Sequence, residues 1–258
     1  MKNIVALLST AVMATAAYAD GLPAADIAPQ PTAATATKAF PGVFGAASAV
    51  AAPPNSGYVG LTYADPRGGI SGNGADGDLF AGYTVGNPVD NVSLTFGLSL
   101  TSVSTDDFAD SGALSLSASR LINVGPTSVT FIGATLSNLA AWGDASVKDE
   151  GGSIQISHVR DFQTAGGATP VQFTGGYATE NTYKDDGSGD LDDGLFFGMG
   201  VGLSQNFSAG FSFTETQLNV GATATIPTVD GLSVTAGVYD ATDNVDRQQY
   251  SLSIVYSF

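Results

Sequence analysis

Residue types that could perform acid-base or nucleophilic chemistry are scarce in this chain. His158 is the single histidine, and there is no cysteine. An activated serine nucleophile needs a base within hydrogen-bond reach, and Ser157 is adjacent to His158 in the sequence. Neighbouring residues on a strand point to opposite faces, so this pair cannot form a catalytic dyad on a strand. His158 continues the apolar series Ile154 and Ile156, which favours an interfacial aromatic residue in a protein that is not an enzyme.

The densest acidic run in the sequence is a candidate divalent-cation site. Ca²⁺ takes six to eight oxygen ligands, and a flexible acidic loop can supply several of them. The candidate Ca²⁺ or Mg²⁺ ligands of this run are Asp185, Asp186, Asp190, Asp192 and Asp193. Their spacing differs from the helix-loop-helix calcium pattern, so a solvated, repulsive loop is the stronger interpretation. A further hypothesis is that such ions bridge the loops to lipopolysaccharide phosphates. The sequence predicts no other cofactor.

The composition indicates that water does not cover the whole surface. Only 12% of the 258 residues are charged, and the mean hydropathy is +0.16. A soluble domain carries roughly 25% charged residues. The chain has 24 acidic residues against 8 lysines and arginines, a net charge of −16. Such an acidic chain is not expected to bind nucleic acid, because that binding depends on basic residues.

The N-terminal region predicts export. Met1–Asn3 is a positive start, an apolar stretch follows, and Ala17-Tyr18-Ala19 matches a signal-peptide cleavage site, so residues 1–19 are interpreted as a signal peptide. Residues 20–55 contain more than half of the 11 prolines and have no sustained period. We expect a disordered or loosely packed periplasmic lead-in there. Its apolar residues Phe40, Val43 and Phe44 leave a second interpretation open, a plug that docks in a barrel mouth.

From residue 56 onward, apolar and polar residues alternate with the period of half-buried strands. Val92–Leu100 and Tyr250–Phe258 are clear examples. The second face is almost entirely Ser, Thr, Gly and Gln rather than Lys, Glu or Arg, which suits a barrel lumen better than the surface of a soluble sandwich. A closed barrel is the one β-structure that leaves no unpaired edge in a bilayer. Residues 56–258 are therefore predicted to form an all-β, closed antiparallel transmembrane β-barrel.

The pattern predicts about twelve strands, although ten to fourteen are compatible with it. The predicted strands are 56–64, 77–85, 92–103, 112–122, 128–137, 152–161, 170–178, 194–204, 207–215, 217–226, 232–240 and 248–258. In strand 128–137 two sets of apolar residues compete for the outward face. Connections after odd strands are mostly long and those after even strands short, as expected of external loops and periplasmic turns in bacterial outer-membrane barrels.

Acidic residues concentrate in the long connections, which are predicted to be external. An acidic mouth raises the local cation concentration and disfavours anions. We therefore expect weak cation preference if the lumen conducts. Tyr58 and Phe80 are predicted to point inward and to narrow the lumen.

The C-terminal strand resembles that of bacterial outer-membrane barrels. The residues that carry the resemblance are Tyr250, Leu252, Ile254, Tyr256 and the final Phe258. In such proteins this pattern is recognised by the barrel-insertion machinery, which the resemblance implies as a partner beside outer-membrane lipid and lipopolysaccharide. The chain is similar to small porin-like barrels, and the similarity implies passive diffusion of small solutes. The alternative is a non-conducting structural or surface-interaction barrel with acidic, cation-binding loops.

Overall fold

The computed structural model describes residues 38–66, 75–101, 108–147, 150–165, 167–183 and 191–258. Across these ranges the chain forms a series of β-strands with one short 3-10 helix, Gly143–Val147. The strands are β1 (Gly57–Asp65), β2 (Asp76–Val85), β3 (Ser93–Thr101), β4 (Ser111–Gly125), β5 (Ser128–Trp142), β6 (Gly151–Thr164), β7 (Gly167–Tyr183), β8 (Leu191–Ser204), β9 (Phe207–Thr214), β10 (Leu218–Thr225), β11 (Leu232–Tyr239) and β12 (Gln249–Ser257). In the described part of the chain no helix is long and apolar enough to cross a membrane.

The twelve strands close into one antiparallel barrel. Each strand pairs with its neighbours in sequence, and β1 pairs with β12 to complete the ring. In that closing pair Leu61 lies opposite Ile254, and Tyr58 lies opposite Ser257. The predicted fold class and strand number are confirmed.

The pleat sends apolar side chains outward and small polar ones inward. Successive residues of a strand face opposite sides, and in β12 the exposure alternates strictly from Gln249 to Tyr256. The outer face carries many exposed large apolar residues, among them Phe96, Ile154, Leu195 and Leu252. Exposing apolar surface to water is unfavourable by roughly 25 cal/mol per Å², so this band fits an apolar environment.

Several strands extend further than the alternation predicts. β5 continues to Trp142 and β7 runs from Gly167 to Tyr183, each well beyond the predicted limits 128–137 and 170–178. The predicted short connection 162–169 shrinks accordingly. In both extensions the pairing is irregular, around Leu139 in β5 and between Ala178 and Thr182 in β7. Such an irregularity breaks the two-residue alternation while the backbone pairing continues.

The connections alternate in length around the two ends of the barrel. We call the end with connections 86–92, 126–127, 165–166, 205–206 and 226–231 the turn end, and the opposite end the loop end. The loop-end connection between β9 and β10 is short, the exception that the sequence also shows.

Candidate functional site: the lumen and the segment inside it

Residues 38–56, which we call the lumen segment, lie inside the barrel. At its start the Ala39 N–H donates to the Ser204 carbonyl at 2.6 Å, and Lys38 Nζ donates to Thr169 Oγ1 at 2.7 Å. At its end the chain enters β1, where the Gly57 N–H donates to the Phe258 carbonyl at 2.8 Å. Both limbs thus meet the wall at the turn end, and the segment forms a loop that rises into the lumen and returns.

A row of four glycines forms a groove for the ascending limb. Gly200 is opposite Gly210, Gly210 opposite Gly221, and Gly221 opposite Gly237, so the row crosses the adjacent strands β8 to β11. A Cβ at any of these positions would lie within 3.0 Å of an atom of the lumen segment. Since real Cβ atoms do not approach that closely, the missing side chains let the segment lie directly on the sheet backbone.

The apolar residues of the ascending limb contact three different parts of the wall. Val43 is fully buried and packs with Phe196. The Phe44 ring centroid lies 4.8 Å from that of Tyr239. Phe40 packs against the buried cluster that contains Phe131. The three residues grouped in the sequence analysis therefore act as separate anchors. Of the lead-in expected to be loosely packed, residues 20–37 lie outside the described residues, and within 38–55 eight residues are buried and only Pro54 and Asn55 are exposed.

The tip of the segment lies beside Asn219. Gly45 has a positive φ of 77°, and a Cβ there would lie 2.5 Å from Asn219 Cβ, so only glycine fits. Asn219 Nδ2 donates to Ser212 Oγ at 3.2 Å and approaches the Gly45 carbonyl at 3.5 Å. Asn219 Oδ1 accepts the Asp240 N–H at 3.1 Å. Asn219 thereby connects the tip to the loop end.

Hydroxyl and amide groups of the wall hold the returning limb. Gln172 Nε2 donates to Ser48 Oγ at 2.7 Å, and the Ala49 N–H donates to Ser157 Oγ at 2.8 Å. Ser119 Oγ donates to the Ala49 carbonyl. Because each such bond contributes about 0.5–1.5 kcal/mol, the set fixes the limb in one register against β4, β6 and β7.

Inward-facing apolar residues of the wall also pack against the returning limb. Val129, Phe131 and Val159 form a buried cluster with Ala49 and Val50. This contact resolves the competition within strand 128–137, because Val129 and Phe131 point inward while Ile132 and Leu136 are exposed outside. Apolar residues that break a polar inner face, together with glycines in register, are the sequence signals that could have revealed an internal segment.

Tyr58 and Phe80 both point into the lumen, and their ring centroids are 6.2 Å apart. Each ring covers a glycine of the neighbouring strand, Tyr58 over Gly82 and Phe80 over Gly60. Val255, an inward residue of β12, packs against them. The two rings therefore fill one side of the lumen near the turn end, and narrowing of a solute path by them remains a prediction.

The polar residues considered in the sequence analysis as catalytic or metal-binding candidates do not form a common site. His158 Nδ1 lies 2.9 Å from Thr130 Oγ1, while Ser157 faces the lumen and lies 2.9 Å from Thr174 Oγ1. Asp185, Asp186 and Asp190 lie outside the described residues. Asp192 and Asp193 are exposed at the start of β8. No group of three metal-ligating side chains occurs within the described ranges, and the divalent-cation site stays a prediction.

The alternate residues of the C-terminal strand all face outward. Their exposed fractions range from 44% for Tyr256 to 63% for Phe258. The final residue also closes the barrel, because its N–H donates to the Gly57 carbonyl at 2.9 Å. Recognition of this strand by the barrel-insertion machinery stays a prediction.

Comparison with known proteins gives structural neighbours only. No protein-family model matches the sequence, and no curated protein matches it. The barrel is similar to the crystal structure of an outer membrane channel from Pseudomonas putida F1, with 13% identity and a TM-score of 0.49 over 81% of this chain and 97% of that chain. Two variants of the Rh. blastica porin match at 11% and 13% identity, with TM-scores of 0.31 and 0.32, over 79% of this chain and 98% of theirs. These neighbours are channel and porin barrels.

Proposed function

We propose that the protein is an outer-membrane, porin-like barrel that permits passive diffusion of small solutes through a lumen restricted by its own lumen segment. The observation that carries the proposal is the contrast between the two faces. Outside is an exposed apolar band, and inside are hydroxyl groups that keep partial exposure, such as Thr95, Ser99 and Ser117. A lining of this kind suits water and polar solutes, and the band suits lipid.

The lumen segment limits the size of what can pass. Twelve strands enclose more space than the side-chain-filled eight-strand barrel and much less than a porin of 16–18 strands. Two limbs of the lumen segment occupy part of that space, held by the glycine row and by Ser157 and Gln172. The restricted lumen therefore admits only small solutes.

Weak cation preference is part of the proposal. At the loop end the described acidic residues include Asp65, Asp76, Asp243 and Asp246, with Arg247 as a basic residue among them. The resulting negative potential concentrates cations at the mouth. Exposed charges act over about 8–10 Å at physiological salt, so the preference should weaken as salt rises.

A second candidate function is a non-conducting structural barrel. The observation that favours it is the tight seating of the lumen segment, in which Val43 is 0% exposed and Ala49 is 1% exposed. If the lumen segment stays docked at all times, the lumen remains closed, and the loops become the part of the barrel that interacts with other molecules.

Bilayer recordings separate these functions. The mature protein is purified, refolded and compared with a variant in which residues 39–52 are replaced by a flexible Gly/Ser linker of equal length. We expect small cation-preferring currents from the unaltered chain and several-fold larger currents from the variant. A reversal potential that shows anion preference would contradict the charge argument. Silence of the unaltered chain with large currents from the variant would support the non-conducting candidate.

A further inference from the structure

We propose that a chamber between the returning limb of the lumen segment and strands β3 to β6 binds a small uncharged polyol, of the size of glycerol, as it crosses the barrel. This inference rests on the proposed function, because a crossing solute must reach the chamber. The inference names the class of solute, which the negative charge at the loop end does not define by itself.

The chamber has two chemically different walls. The hydroxyl and amide side includes Ser93, Thr95, Ser117, Thr135 and Gln155. The opposite side is the returning limb, which contributes the methyl-bearing residues Ala47, Val50, Ala51 and Ala52 together with the Ser48 hydroxyl. A polyol carries C–H and O–H groups on the same carbon chain, so it can place C–H groups on the methyl side and hydroxyls on the polar side.

The size of the chamber sets an upper limit on the ligand. The space open to the centre of a water molecule is about 50 Å³. One water needs about 10–15 Å³ of such space, so the chamber holds roughly three to five waters. A three-carbon polyol matches this size, and longer sugars require movement of the lumen segment.

An unpartnered hydroxyl faces this chamber. Ser93 is 2% exposed, and its Oγ has no hydrogen-bond partner among the residues that the structure describes. A buried hydroxyl without a hydrogen-bond partner is unfavourable, so a solute that supplies the partner is stabilised there. Gln155 adds a weakly used donor, because its Nε2 reaches Thr135 Oγ1 only at 3.5 Å. Ser93 and Gln155 lie on different strands, β3 and β6, so two different hydroxyls of one polyol would use them, one donating to Ser93 Oγ and another accepting from Gln155 Nε2.

The chamber carries no charged group. None of its lining residues is Asp, Glu, Lys, Arg or His. An ion that passes the chamber meets no opposite charge there and is not retained. Cations drawn to the acidic mouth therefore gain nothing at the chamber, whereas a neutral polyol replaces its water contacts with hydroxyl contacts.

The test is stopped-flow swelling of proteoliposomes that contain the full mature protein, with glycerol as the probe. We expect saturable glycerol entry, slower entry of erythritol, and no measurable entry of ribitol. Ser93→Ala should raise the half-saturating glycerol concentration about two- to ten-fold, the equivalent of one hydrogen bond. The matched control is Ser233→Ala, since the Ser233 hydroxyl is equally buried and unpartnered but does not line the chamber.

The outcomes separate the two proposals. Unsaturable glycerol entry, or equal effects of Ser93→Ala and Ser233→Ala in a barrel that still passes ions, overturns the polyol site and leaves the channel standing. Passage of water alone also overturns the site. Absence of both swelling and ionic current overturns the channel and the site together. The heat-dependent gel shift of both variants confirms that they are folded before either is compared.

Discussion

Truncation of Phe44 to alanine should release the tip of the lumen segment. The Phe44 side chain is only 8% exposed and lies over Gly221 and Gly237 beside the Tyr239 ring. Removing a buried phenylalanine side chain costs about 3–5 kcal/mol. Every 1.4 kcal/mol is a factor of ten in an equilibrium. The ratio of undocked to docked segment should therefore rise roughly 100- to several-thousand-fold in Phe44→Ala.

A thiol reporter can measure this ratio, because the chain has no cysteine of its own. Val43→Cys places a thiol at a position that is 0% exposed when the segment is docked. Its maleimide labelling rate is the rate of a free thiol multiplied by the undocked fraction. Gln205→Cys, at an exposed position of the turn end, supplies the free-thiol rate. We expect protection in the Val43→Cys background and its loss when Phe44→Ala is added.

The matched control is Phe213→Ala, which removes the same side chain from the outer face of β9, where Phe213 is 49% exposed. This control should leave the labelling rate of Val43→Cys unchanged. Equal labelling of the two cysteine variants without further substitution would refute the docked arrangement. A Phe44→Ala effect no larger than that of Phe213→Ala would refute the argument that this ring anchors the tip.

Further predictions concern the glycine row, the C-terminus and the loop end. Gly237→Ala should displace the Phe44 ring and raise conductance, whereas Gly175→Ala should leave it unchanged, because the nearest atom to that new Cβ is 3.6 Å away. Deleting Phe258 should lower the folded, membrane-inserted yield in cells several-fold, as scored by the heat-dependent gel shift, because the closing backbone pair and the predicted assembly signal are lost. Asp240→Ala should speed protease cleavage of the loop that follows, since the Asp240 carboxylate accepts backbone N–H groups from Asn244, Val245 and Arg247, bonds of about 1.5–3 kcal/mol each.

Local sequence pattern was sufficient to predict the strands and their outward, apolar sides. A strand repeats every two residues, so series such as Tyr250 to Phe258 report strand type and orientation from local information alone. The same pattern predicted about twelve strands, and the lengths of the connections between them then distinguished two barrel ends. Strand limits were less accurate, because pairing irregularities in β5 and β7 break the two-residue alternation while the ladder continues.

The contents of the lumen depend on long-range contacts that no local pattern reports. The lumen segment has no period of its own, and its partners are distant in sequence: Ser48 contacts Ser157 and Gln172, 109 and 124 positions away. Its groove exists only after β8 to β11 pair and bring their glycines into register. The inward direction of Phe131 depends on the same contact, since an apolar residue can face a polar lumen when an apolar segment covers it. Local pattern therefore specified the wall, and long-range packing specified what the wall encloses.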